Sequence, residues 1–125
     1  MLVDCGHLHR ALVNAAVHQH REVTGHGPSK AQAFHRENVV VVLMWGALTQ
    51  AERSLAATGR VEAVRYIRDQ LRDSMRAALV DAIEQLTGTK VNAFLGDTNV
   101  EHELTAMVFV LDRPIGERSE GAGPT

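Results

Sequence analysis

Apolar residues first recur at helical spacing, with Leu8, Leu12, Ala15, Ala16 and Val23 stepping along Leu2–Thr24. Gly25 and Pro28 lie just beyond and supply a stop, so the spacing predicts a first helix ending at Thr24. Ala33–Trp45 then reads as the first strand. Its second half, Val39–Trp45, is an unbroken apolar run closed by Gly46, and adjacent valines are poor helix formers. A continuous run, as opposed to an alternating one, predicts a strand covered on both faces. Thr49-Gln50-Ala51-Glu52 has the spacing of a capping box and predicts a short helix, Gln50–Thr58, stopped by Gly59. Val61–Thr87 is the longest helical pattern. Its apolar stripe is Val64, Ile67, Leu71, Met75, Ala78, Ala82 and Leu86, and Gly88 ends it. At a rise of about 1.5 Å per residue it is about 40 Å long, enough to cross a small sheet. Val91–Leu95 and Ala106–Leu111 read as the last two strands. Gly96–Glu103 between them is too polar for a sheet interior and is expected to be a long hairpin loop.

Together these elements predict an α+β fold. A single αβααββ domain spans 1–113, with a small three-stranded sheet packed by helices. A flexible, disordered tail rich in Gly, Pro, Ser and charge spans 114–125. The first strand needs cover on both faces, which helices or a second copy of the chain would have to supply. A homodimer is therefore expected.

With 125 residues, the chain is the length of one domain and can bury a core unaided. Its net charge of −2 argues against a generic nucleic-acid binder. The single Cys5 cannot close an internal disulfide, which fits a reducing, cytoplasmic location. The N-terminus lacks the pattern of a signal peptide. The longest uncharged apolar run, Val39–Leu48, falls well short of the roughly 20 residues a spanning helix needs. No membrane span is expected.

Three features could carry chemistry. Seven histidines invite a metal reading. However, His7 and His9, like His18 and His20, fall on opposite sides of a helix. Cys5 and His9, one turn apart, make too few ligands unless His35 or the Glu101-His102-Glu103 loop joins them. No metal or other cofactor is expected. Gly25-His26-Gly27-Pro28-Ser29-Lys30 has the composition of an anion-binding nest without the spacing of a Walker loop; a helix stop followed by Pro explains the same glycines. Arg65, Arg68, Arg72 and Arg76 form one basic row on the long helix, flanked by Glu62, Asp69 and Asp73 at ion-pairing distance along it. The row lacks interleaved aromatics, which disfavours single-stranded nucleic acid. No catalytic residue is assigned. Ser29, Ser54 and Ser74 lack a nucleophile motif, and the acidic residues are placed as ordinary surface groups.

Several of these segments, in order, resemble the small MpsC-type domain, named for a Na+-translocating membrane-potential-generating system of bacteria. They are Gly25-x-Gly27-Pro28-x-Lys30-Ala31, the strand Val39–Leu43, Gly46-x-Leu48-Thr49-x-Ala51-Glu52, Gly59-Arg60, and Leu86-Thr87-Gly88-x-Lys90-Val91-x-Ala93-Phe94. The resemblance spans about residues 8 to 112. It implies a partner role beside a cation-handling membrane system and brings no established active-site residues with it. His26 stands where the family pattern has arginine, and Ala47 where it has a second glycine.

On this reading the chain is a non-enzymatic accessory or regulatory domain that binds a protein partner, with a membrane complex as the implied one. The expected contact surface is Gly25, His26, Gly27, Lys30, Arg65, Arg68, Arg72 and Arg76. The alternative is a cytoplasmic small-anion or nucleotide-binding regulator using the Gly25–Lys30 loop.

Overall fold

A computed structural model of the chain describes residues 5–116. Seven elements follow in the order αββααββ: α1 (Cys5–Thr24), β1 (Lys30–Arg36), β2 (Val39–Trp45), α2 (Gln50–Ala57), α3 (Val61–Thr87), β3 (Val91–Asn99) and β4 (Leu104–Leu111). The strands form one antiparallel sheet in the order β1-β2-β4-β3. The α+β class stands, but the sheet has four strands, not three.

The added strand straddles the start of the segment read as one strand: it begins at Lys30, the end of the glycine loop, and runs on to Arg36. Glu37 and Asn38 turn the chain back, and β1 pairs with β2 from Arg36 opposite Val39 to Lys30 opposite Trp45. β1 is an edge strand on which Ala33 alone is buried, so it gives almost no hydropathy signal. The polar stretch after Gly96 also proves to be strand: β3 continues to Asn99, leaving only a short turn before Leu104. Its polarity is tolerated because β3 is the other edge. Asp97 faces outward there, while the buried hydroxyls of Thr98 and Thr105 bond each other at 3.0 Å.

Both long helices lie on the same face of the sheet. Leu8, Leu12 and Ala16 of α1 and Met75, Leu79 and Ile83 of α3 pack on Val40, Val42, Met44, Phe94, Met107 and Phe109. The other face carries no helix among the described residues. Along β2 burial alternates, with Val39, Val41, Leu43 and Trp45 only half-buried. The unbroken apolar run therefore reflects a second face that is apolar without being roofed by the described residues.

Ile115 also enters the core, so packing continues past Pro114; residues 117–125 of the expected tail lie outside the described residues. Both predicted helix starts after β2 hold. At α2 the Thr49 hydroxyl accepts from the Glu52 amide while the Glu52 carboxylate accepts from the Thr49 amide. α3 covers Val61–Thr87 and ends on Gly88, whose φ of 72° is the left-handed cap that glycine adopts freely.

Candidate functional site

The buried side of α3 is not the all-apolar stripe that the spacing predicts. It runs Val64, Arg68, Arg72, Met75, Leu79, Ile83, with Ile67 and Leu71 only half-buried and Ala78 exposed. Two of the four arginines in the basic row thus point into the protein. Arg65 and Arg76 remain outside, paired across one helical turn with Glu62 at 3.9 Å and Asp73 at 3.5 Å. The row is split between core and solvent, so it is no continuous basic stripe.

Arg68 is 3% exposed and grips a carboxylate that is almost as deeply buried, Glu52. Its Nε donates to Glu52 Oε2 at 3.0 Å and its Nη2 to Oε1 at 2.6 Å, a bidentate pair. Nη2 also donates to the Ala47 carbonyl at 2.6 Å, and Nη1 reaches His20 Nε2 at 2.9 Å. A guanidinium only donates, so His20 Nε2 must accept and the proton sits on Nδ1. That Nδ1–H then donates to the His26 carbonyl at 2.6 Å. The cluster ties α1, the residues after β2, α2 and α3 to a single point. Burial and the neighbouring Arg68 charge hold the His20 imidazolium below its ordinary pKa. For Glu52, burial alone would raise the carboxyl, but the Arg68 and Thr49 hydrogen bonds outweigh it and hold it below the ordinary range.

Arg72 occupies a second buried position, bonded to Asp69 at 2.9 Å and to the Thr98 hydroxyl at 2.8 Å. Its side chain lies against Gly96 of β3, where a Cβ would run into Arg72 Cδ and Nε.

The glycine loop is committed to its own fold. The Gly25 amide donates to the Arg21 carbonyl at 2.8 Å, that of His26 to the Thr24 hydroxyl at 3.1 Å, and that of Ser29 to the Trp45 carbonyl at 2.9 Å. Pro28 has no amide proton, and Gly27 packs against the Arg21 guanidinium. The Gly25, His26 and Ser29 amides are therefore spent within the fold. His26 Nε2 lies 3.2 Å from the Gly46 carbonyl, and Lys30 opens β1 with its ammonium 4.8 Å from the centre of the Trp45 ring. The structure brings the loop to Arg68 through His20, but leaves Arg65 and Arg76 apart from it.

An open groove of about 580 Å³ lies between α2, the start of α3 and the β3–β4 turn. Leu48, Ala56, Val61 and Val100 give it an apolar floor; Arg53, Arg65, Glu101 and Glu103 give it a rim of both signs. Arg53 Nε and Nη2 donate to Glu103 at 3.0–3.1 Å, tying α2 to the turn. Sequence reasoning missed two groupings, His20 and Glu52 about Arg68, and Arg53 with Glu103. The capping box already marked Glu52, but its long-range partners had no local signal.

Among the histidines, His9 and His35 meet at 2.8 Å between Nε2 and Nδ1, with rings edge to face. No group of three or more His, Cys, Asp or Glu able to hold a metal ion occurs among the described residues. Nor is any helix among them long and apolar enough to cross a membrane.

A profile of the family described as "Na+-translocating membrane potential-generating system (MpsC)" matches residues 5–113. The protein named "Uncharacterized protein YrhF" from Bacillus subtilis (strain 168) is 32% identical over 103 residues, covering 80% of this chain and 84% of that one. No solved structure matches.

Proposed function

The chain belongs to the MpsC family, and from that premise we propose that it is a non-enzymatic accessory domain that docks on a protein partner. The partner class is a membrane-embedded component of a cation-translocating complex, as the family description implies. The observation that carries the reading is the groove beside α2. Its apolar floor and mixed-charge rim have the make-up of a protein-docking surface, with an apolar centre and a polar margin. Catalysis finds little support, because the buried groups with shifted ionisation, His20 and Glu52, are bonded to Arg68 and to backbone inside the protein. The anion-regulator alternative is less well supported, because the Gly25, His26 and Ser29 amides of the loop are engaged within the fold.

Ala57 and Arg65 line the groove and are exposed, so they can be changed without opening the core. Affinity-tagged full-length chain is used to recover its partners from native membranes in mild detergent. The wild type is expected to recover an integral component of a cation-translocating complex, and Ala57→Glu and Arg65→Glu are expected to lose at least about 90% of it, the effect of removing a central contact. Equal recovery by the variants would reject the groove. Recovery of no such component by the wild type would reject the partner class.

A further inference from the structure

The helix-free face of the sheet has an apolar centre, with polar residues confined to its two edge strands. The register aligns Phe34, Val41, Val108 and Leu95 in one row across all four strands. The rows beside it are Gln32, Leu43, Ala106, Asp97 on one side and Arg36, Val39, Val110, Ala93 on the other. Lys30, Trp45, Leu104 and Asn99 form the last. Phe34 is 42% exposed and Leu95 is 61% exposed, at opposite ends of their row. Strands about 4.8 Å apart, carrying seven residues at about 3.3 Å each, make a face of roughly 19 by 23 Å, or about 440 Å². A face of that size with an apolar centre rimmed by polar residues has the make-up of an interaction site.

The polar residues say what fits. Both cations that the strands place on this face, Lys30 and Arg36, lie on β1, and its carboxylate, Asp97, lies on β3, at the opposite edge, where Arg65 of α3 lines a shallow pocket beside it. The face is therefore complementary to itself when turned over about a line parallel to the strands. That operation sets β1 of one copy over β3 of the other and β2 over β4. Phe34 then meets Leu95, Trp45 meets Leu104, and Leu43 meets the small Ala106, while Lys30 and Gln32 come beside Asp97 and Asn99. Turning about a line across the strands would instead set Lys30 against Arg36.

We propose that two copies of this chain pack by these open faces about a two-fold axis running along the strands, giving an α/β/β/α sandwich. Such an axis makes the contact isologous and closed, so it ends at a dimer. The inference rests on residues other than the groove floor; Arg65 and Asn99 border both surfaces, so Ala57→Glu is the groove variant that leaves this face untouched.

Light scattering on the eluting full-length chain at micromolar concentration is expected to give twice the 13.7 kDa protomer mass. Phe34→Lys and Leu95→Lys, at exposed positions, should weaken dimerisation by about tenfold or more while circular dichroism and melting stay near wild type. Lys30→Glu and Asp97→Lys should each weaken it, and the double charge swap should restore it. A monomeric wild type overturns the proposal. So does a dimer indifferent to Phe34→Lys and Leu95→Lys, which would point to pairing of the sheet edges. A dimer strengthened by Lys30→Glu overturns the axis.

Discussion

His20 has one workable protonation state. A proton on Nε2 would face the Arg68 guanidinium at 2.9 Å, so the folded protein keeps the ring neutral and its pKa below the ordinary value of about 6.5. Above that value the ring is neutral whether folded or not, and the cluster contributes its full stability. As pH falls below about 6.5 the unfolded chain takes up a proton that the folded chain refuses, so stability drains away. Glu52 follows the same sign lower down, with stability lost as acid protonates a carboxyl held below its ordinary value. Thermal melts from pH 8 to 5 should show a falling midpoint, and His20→Gln should flatten the fall between 7 and 5.5. An identical slope in the variant would remove His20 from the account. Replacing Glu52 by Ala strands a buried guanidinium and should destabilise by about 3–5 kcal/mol. The double replacement Glu52→Leu/Arg68→Met should cost less than the sum of its parts in urea titrations. Local chemistry at this scale was legible: Thr49 and Glu52 announce their capping box. The bond from Glu52 to Arg68 was not, because residues on separate helices meet only after the layers assemble.

Elements were legible where hydropathy and turn chemistry agreed, as at α3 and its Gly88 cap. They were misread at the sheet edges, where strands tolerate polar residues on their open side. β1 carries Lys30, Gln32, His35 and Arg36, and its turn uses Glu37-Asn38 in place of a glycine pair. Glu37 sits at φ 55°, a left-handed conformation unfavourable for a side-chain-bearing residue. Glu37→Gly should therefore leave stability unchanged or raise it by about 0.5–1 kcal/mol, read as a melting shift of a few degrees. A marked loss would mean that the Glu37 side chain holds the hairpin. At the opposite edge, Gly96 makes room for Arg72. Gly96→Ala should destabilise by about 1–3 kcal/mol, and the penalty should shrink in an Arg72→Ala background. The arginine row misled for the same reason. Four arginines on one helix face look solvated until Glu52 and Thr98, both distant in sequence, draw two of them inward.

Viewed as a whole, the molecule is a sheet with helices on one side and a groove at one end. The valine run correctly marked a strand, but the inference that its second face must be covered left the covering body open. Either α-helices or a second chain would satisfy the pattern, and both helices that pack on the sheet choose the same side. That choice leaves the open face to the proposed self-association and the groove to the proposed partner. Hydrogen–deuterium exchange on the full-length chain, with and without the detergent-solubilised membrane complex it recovers, tests the docking claim most directly. The account predicts new protection at 48–61 and 100–103, with the sheet strands unchanged. Protection confined to α1 or to the sheet, with none at those two segments, would contradict it.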